Sequence, residues 1–271
     1  MREDDQDLMR TQLEQLMQYA KACWPSGVKP EWQVKTEDYL RILPRVVADW
    51  TDGASVGRKL VRIAGPSGSG KTSQLLPAVE AWYGEEMPIL AAARKLVQYH
   101  PFVEEIRAEY GEENLRKRTD EFVSVMLFLV LRELIYGGYD IILDVTLLDE
   151  KVERLLLGWL EDCKYTFWMT MVAVSPTISA RWLGKRAWRH DKATEEEFWR
   201  ATAEALGFYA EKCPDMRMVL WSAWDLEPVY GGDIGSAVEV WRRYVEIEKG
   251  EDRDEETLRE AKISYLQRFR S

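Results

Sequence analysis

Apolar positions near the start of the chain recur at three- and four-residue spacing. Leu8, Met9, Leu13, Leu16, Met17 and Ala20 predict an amphipathic helix over residues 1–24, with Glu3, Asp4, Asp5 and Asp7 at the end where a helix favours negative charge. Pro25-Ser26-Gly27 stops it. A second helix is expected from Thr36 to about Trp50, with Glu37 and Asp38 in its first turn and Pro44 kinking or splitting it. Asp52-Gly53 marks a turn. From Lys59 the pattern changes to short unbroken apolar runs separated by helical stretches. Leu60–Ala64, Pro88–Ala93, Tyr139–Leu143, Tyr165–Val174 and Arg217–Trp221 read as strands. Between and after them, Lys71 to about Trp82, residues 102–137, 149–162, 176–189, 194–212 and 234–248 read as helices. Strands separated by helices of this length require crossover connections. The expected fold is therefore α/β: a doubly wound, mostly parallel five-stranded sheet with flanking helices and an N-terminal helical extension.

Composition narrows the possibilities. In 271 residues, 46% are hydrophobic and 31% charged, which is globular composition and excludes a mainly disordered chain. Lys+Arg total 37 and Asp+Glu 47, a net charge of −10 that argues against a general affinity for nucleic acid or anionic membrane. The three cysteines, Cys23, Cys163 and Cys213, match no metal spacing, and a reducing, cytoplasmic location is expected. The longest uncharged run, 165–180, contains Pro176 and is too short to span a membrane, and the acidic N-terminus does not read as a signal peptide. The 12 Trp are read as packing residues, and no internal repeat is visible.

One motif carries specific chemistry. Gly65-Pro66-Ser67-Gly68-Ser69-Gly70-Lys71-Thr72 matches G-x-x-x-x-G-K-[ST] in full, preceded by a short apolar strand and followed by a helical pattern. Glycines let successive backbone N–H groups turn toward phosphate oxygens, and the following helix N-terminus adds its partial positive charge. Residues 65–73, through Ser73, are the expected nucleotide cradle. Lys71 would bridge the β- and γ-phosphates, and the Thr72 hydroxyl would ligate Mg²⁺. A chance match in a chain this long has a probability of about 1%. Asp144, at the end of Ile141-Ile142-Leu143, stands where a second carboxylate would meet Mg²⁺ or a substrate hydroxyl. Thr146 either reaches the same cleft or caps the helix at 149–162. A basic stretch holds Arg181, Lys185, Arg186, Arg189, His190 and Lys192. Arg181, Lys185 and Arg189 share one helix face and suit a lid that neutralises charge on a transferring phosphoryl group. His100 and His190 are read as structural, and two histidines so far apart make no metal site.

The order of these parts resembles the zeta-toxin family of P-loop kinases over about residues 36–245. The P-loop is followed by Tyr99-His100-Pro101-Phe102, then by Gly137-Gly138-Tyr139 leading to Asp144-Val145-Thr146, then by Met171–Val174 and the basic stretch with Lys192-Ala193-Thr194. The resemblance implies an ATP- or GTP-dependent kinase acting on the 3′-hydroxyl of the amino sugar of UDP-N-acetylglucosamine, restrained by an antitoxin. It also implies that Lys71 and Thr72 keep their roles, that Asp144 replaces a strand-end glutamate on the sugar nucleotide, and that Arg181 is the first lid arginine, with Arg189 or Lys192 the second. Two departures stand out. Alignment on His100-Pro101 puts Ala92 and Arg94 where the family has aspartates, one of them the general base, and Leu148 replaces a basic residue. An arginine cannot accept a proton at neutral pH. Three readings remain open: Asp144 serves as base, the substrate differs and Arg94 binds an anionic group, or phosphoryl transfer is weakened. A missing general base would cost about 10²–10⁴-fold in rate.

The expected organisation is an extension at 1–35, a P-loop kinase domain at 36–248 and a charged tail at 249–271. The extension is either a helix packed on the domain or an acidic segment that inhibits the basic cleft in cis. The expected function is transfer of the γ-phosphate of ATP or GTP, with Mg²⁺, to a hydroxyl of a small molecule. The alternative is a degenerate nucleotide-binding protein with an interaction role.

Overall fold

The computed structural model describes residues 3–23, 25–65, 71–145, 150–173, 205–212 and 218–222. In chain order the elements are α1 (Glu3–Cys23), a 3₁₀ turn (Pro30–Trp32), α2 (Thr36–Thr51), β1 (Lys59–Ala64), a π-turn (Lys71–Leu75), α3 (Leu76–Tyr83), β2 (Ile89–Ala92), a 3₁₀ segment (Ala93–Tyr99), α4 (Val103–Tyr110), α5 (Glu112–Gly137), β3 (Ile141–Asp144), α6 (Glu150–Asp162), β4 (Thr166–Ala173) and β5 (Met218–Ser222). Residues 205–212 are also helical. The expected helices at 176–189 and 234–248 lie outside the described residues, as do residues 194–204 and the 249–271 tail.

The strands follow the order β2-β3-β1-β4-β5. β1 runs parallel to β4, with Lys59 opposite Thr166 and Ala64 opposite Met171, and β4 runs parallel to β5. The fold is the expected α/β type, a parallel sheet flanked by helices. The strand order reverses at β1: the chain steps out to β2, returns to β3 on one side, and crosses to β4 on the other. Ligands of open α/β sheets bind at such a switch point, beyond the carboxyl ends of the strands.

By contact density the chain divides into two compact units. The first comprises Met1–Arg58 and Glu86–Ile141, and the second Lys59–Glu85 and Ile142–Ser271. In the first, α5 is apolar nearly all round, with Phe122, Val123, Met126, Val130, Leu134 and Ile135 each at most 2% exposed. A helix of that kind must be enclosed, and α1, α2 and α4 all pack on it. α1 buries Leu13 and Ala20. The segment after α1 is held to the same unit by Arg118, whose Nη1 donates to the carbonyls of Ser26 and Gly27 at 3.0 Å each. The structure refines two of the sequence expectations here. α2 runs unbroken through Pro44, because Tyr39, Leu43 and Val46 bury the helix on either side of the one hydrogen bond that proline forfeits. The stretch 102–137 is two helices, parted at Gly111.

α5 ends in a Schellman motif. The N–H of Gly138 donates to the Ile135 carbonyl at 3.0 Å and that of Tyr139 to Leu134 at 3.2 Å, with Gly138 left-handed at φ 78°. This reversal feeds the chain directly into β3. In the second unit, β1 buries every residue from Leu60 to Ala64, and α6 packs an inward face of Val152, Glu153, Leu156 and Leu160.

Candidate functional site

The second unit assembles a polar site at the ends of β1 and β3. β1 ends at Ala64, and Gly65 follows with φ 138°, a conformation that side-chain-bearing residues rarely adopt. Pro66, Ser67, Gly68, Ser69 and Gly70 lie outside the described residues. The chain re-enters at Lys71, which opens the π-turn Lys71–Leu75 ahead of α3. The sequence predicts an α-helix from Lys71. The widened turn found there is a feature that recurs at functional sites.

Three side chains of this site have defined partners. Lys71 Nζ donates to the Gly65 carbonyl at 2.7 Å, so the ammonium folds back over the mouth of the loop. Thr72 Oγ1 donates to Asp144 Oδ2 at 3.0 Å across 72 residues of sequence. Asp144 is 7% exposed at the end of a strand whose four residues are all buried. The sheet thus brings together the hydroxyl and the carboxylate that the sequence places far apart. Both are hard oxygen donors of the kind Mg²⁺ takes, and adjacent ligands of an octahedral Mg²⁺ sit about 2.9 Å apart, close to the Thr72–Asp144 spacing. Among the described residues no group of three or more His, Cys, Asp and Glu side chains is placed to hold a metal by itself.

The remaining sequence candidates fall elsewhere. Thr146, Arg181, Arg189 and Lys192 lie outside the described residues, and so does the side chain of Ser73. Arg94 belongs to the first unit, exposed at the start of the 3₁₀ segment that follows β2. Ala92, at the end of β2, is fully buried. His100 is 4% exposed and wedged edge-on against Phe122, with its Nδ1 accepting the Phe102 N–H at 3.2 Å. Burial lowers its pKa to about 4, so the ring is neutral and acts as a structural acceptor, in line with the sequence reading.

Sequence reasoning overlooked a buried charge cluster in the second unit. Arg62 in β1, Glu153 on α6 and Tyr209 in the helix at 205–212 are each at most 1% exposed. Arg62 grips the Glu153 carboxylate with both terminal nitrogens, Nη2 to Oε1 at 2.9 Å and Nη1 to Oε2. Nη1 also reaches the Tyr209 hydroxyl at 3.3 Å, and that hydroxyl donates to Glu153 Oε2. Burial alone would lower the Arg62 pKa, but the Glu153 carboxylate and the hydrogen bonds outweigh it and raise it. Burial and the adjacent carboxylate push the Tyr209 phenol well above its ordinary value. The available signal was a lone arginine in the apolar run Leu60-Val61-Arg62-Ile63-Ala64, and a glutamate on the apolar face of the 149–162 helix.

The zeta toxin family model matches residues 54–213, more than half of the chain. No curated protein matches the chain in sequence. Among solved structures, the chain is similar to one from the PezAT chromosomal toxin-antitoxin system of Streptococcus pneumoniae, at 18% identity and a TM-score of 0.63, covering 88% of this chain and 97% of that one. It is also similar to a chain of the AvrRxo1-ORF1:AvrRxo1-ORF2 complex with sulphate ions, at 13% identity and a TM-score of 0.52, covering 86% of this chain and 78% of that one. The native form of that complex gives 13% identity and a TM-score of 0.51, with 86% and 76% covered. At these identities the structural likeness concerns the fold, and it agrees with the family match. A G-x-x-x-x-G-K-T sequence after the central strand β1, the Asp144 carboxylate hydrogen-bonded to Thr72, and the family match lead to one assignment: the chain belongs to the zeta toxin family of P-loop phosphotransferases.

Proposed function

We propose that this chain transfers the γ-phosphoryl group of ATP or GTP to a hydroxyl of a small molecule, with UDP-N-acetylglucosamine the first acceptor to test. The observation that carries this reading is the Thr72–Asp144 hydrogen bond at 3.0 Å, beside Lys71 folded onto Gly65. Residues 65–73 hold the nucleotide phosphates. Lys71 leaves the Gly65 carbonyl to lie on the β- and γ-phosphates. Mg²⁺, when bound, is held by Thr72 and Asp144 and neutralises charge on the phosphate oxygens.

The acceptor oxygen forms a bond to the γ-phosphorus as the bond to the β–γ bridging oxygen breaks, and the nucleoside diphosphate leaves. The hydroxyl proton passes to water, or to Asp144 where that carboxylate is not a Mg²⁺ ligand. Asp144 is the nearest described acid to the loop's threonine, whereas the fully buried methyl of Ala92 can accept no proton. Thr146 and Arg94 are assigned to the acceptor, Arg94 to an anionic group on it. Arg181, with Arg189 or Lys192, neutralises the transferring group. Because phosphoryl transfer rests chiefly on positioning and charge, it survives a weak base at reduced rate. The working domain is 36–248, and an antitoxin is its expected partner, as in the toxin-antitoxin system of the similar pneumococcal structure. α1 packs on α5 within the first unit, which supports a structural role for residues 1–35 over inhibition in cis.

The test is nucleotide turnover by purified protein with ATP or GTP and Mg²⁺, with and without UDP-N-acetylglucosamine, beside Lys71→Ala and Asp144→Asn. Acceptor-stimulated turnover lost in both variants is expected. Ala92 supports a second reading, a nucleotide-binding protein with little transfer activity, and binding without stimulation by any hydroxyl acceptor would favour it.

A further inference from the structure

A buried ion cluster is an odd choice for stability alone. Taking a guanidinium and a carboxylate out of water costs nearly what their attraction returns, and apolar residues of the same volume often do as well or better. The Arg62–Glu153–Tyr209 cluster differs from apolar packing in its geometry. A bidentate guanidinium–carboxylate pair with a phenol on the same oxygen admits one arrangement, whereas apolar surfaces can slide. Its members also stand at informative places in the chain. Arg62 is three residues before Gly65, and Glu153 is nine residues after Asp144. Tyr209 sits in the helix at 205–212, C-terminal in sequence to the basic stretch 181–192.

We propose that Arg62, Glu153 and Tyr209 are positioning residues that fix the register of β1, and with it Gly65 and the Lys71–Leu75 turn, against α6 and the helix at 205–212. The inference rests on reading residues 65–72 as the nucleotide cradle. The clasp joins the strand that enters the cradle to the helix that follows the strand-end acid Asp144, so it holds Thr72 and Asp144 at their hydrogen-bonding distance.

The test uses the full chain carrying Arg62→Met, Glu153→Leu and Tyr209→Phe together, with Tyr209→Phe alone as the milder variant. Melting temperature, amide hydrogen exchange at residues 63–65 and 71–75, and the Kd for Mg–ATP are compared with the parent protein. The triple variant is expected to melt within a few degrees of the parent, yet to exchange at least about 10-fold faster over 71–75 and to bind Mg–ATP at least about 10-fold more weakly. Tyr209→Phe is expected to move both readouts by about 3-fold. Parent-like exchange and affinity in a folded triple variant would overturn the proposal, because the cluster would then be packing and nothing more. If the triple variant does not fold, parent-like exchange in Tyr209→Phe overturns it equally. A parent protein that binds no Mg–ATP would refute the functional reading instead, and exchange over 71–75 would still decide the clasp.

Discussion

The two units bury different kinds of core. Around α5 the first packs apolar and neutral groups: Tyr39 stacks on Phe122 at 5.4 Å, Thr119 returns its hydroxyl to the Leu115 carbonyl, and His100 sits unprotonated among aromatic rings, while a buried carboxylate of the same unit, Asp140, stands at the entry to β3. The second places a full ion pair beneath its central strand. The first core is specified by volume, and each deleted atom is felt as lost packing. The second is specified by pairing. Removing one partner of the ion pair is severe, while replacing the whole cluster by apolar residues is not. The site follows the same division. The proposed site residues, Lys71, Thr72 and Asp144, belong to the unit with the paired core, where a hydroxyl and a carboxylate from distant parts of the chain meet at 3.0 Å.

Single deletions should separate the two cores most sharply. Glu153→Ala leaves the Arg62 charge buried without its carboxylate and is expected to cost about 3–5 kcal/mol in urea unfolding, against little change for the apolar triple variant. Equal losses in the two would remove the distinction. Phe122→Ala in the first core is expected to cost about 3–5 kcal/mol through lost packing and the cavity left behind, with no rescue available from a partner substitution.

His100 offers a pH-dependent contrast. Its folded pKa, about 4, lies below the ordinary 6.5, so the unfolded chain binds the proton first. Stability from the neutral ring is complete above pH 6.5 and is lost as pH falls toward 4, up to about 3 kcal/mol. His100→Asn keeps an acceptor for the Phe102 N–H and takes up no proton. The stability gap between parent and variant should therefore narrow between pH 7 and pH 4, and a constant gap would show that the ring is not buried neutral. The smallest expected effect is Gly138→Ala, at about 1–2 kcal/mol. Its φ of 78° strains an alanine, although the added Cβ would meet nothing closer than Arg58 Nε at 3.5 Å. A loss well above that would mean that the Schellman turn sets the entry into β3 more strongly than local strain implies.

Much of this architecture was legible in the sequence because it is written locally. Alternation of apolar runs with helical periods announces the five strands and their crossovers, and glycine spacing announces the loop before Lys71. The break at Gly111, the unbroken helix through Pro44 and the 3₁₀ segment at Ala93–Tyr99 were not legible, since each is decided by what packs around it. The site shows the same limit. Asp144 was visible as a carboxylate after a strand, but its contact with Thr72 depends on strand order. Arg62 stands alone in an apolar run and Glu153 on the apolar face of a helix, and only the fold pairs them.

The most direct measurement is a calorimetric titration of ATP into the full chain, with and without Mg²⁺, for the parent, Lys71→Ala and Asp144→Asn. If residues 65–72 and Asp144 form a metal-assisted phosphate site, the parent binds more tightly with Mg²⁺, Asp144→Asn loses most of that gain, and Lys71→Ala binds weakly under both conditions. Affinity indifferent to Mg²⁺ and unchanged in both variants would contradict it.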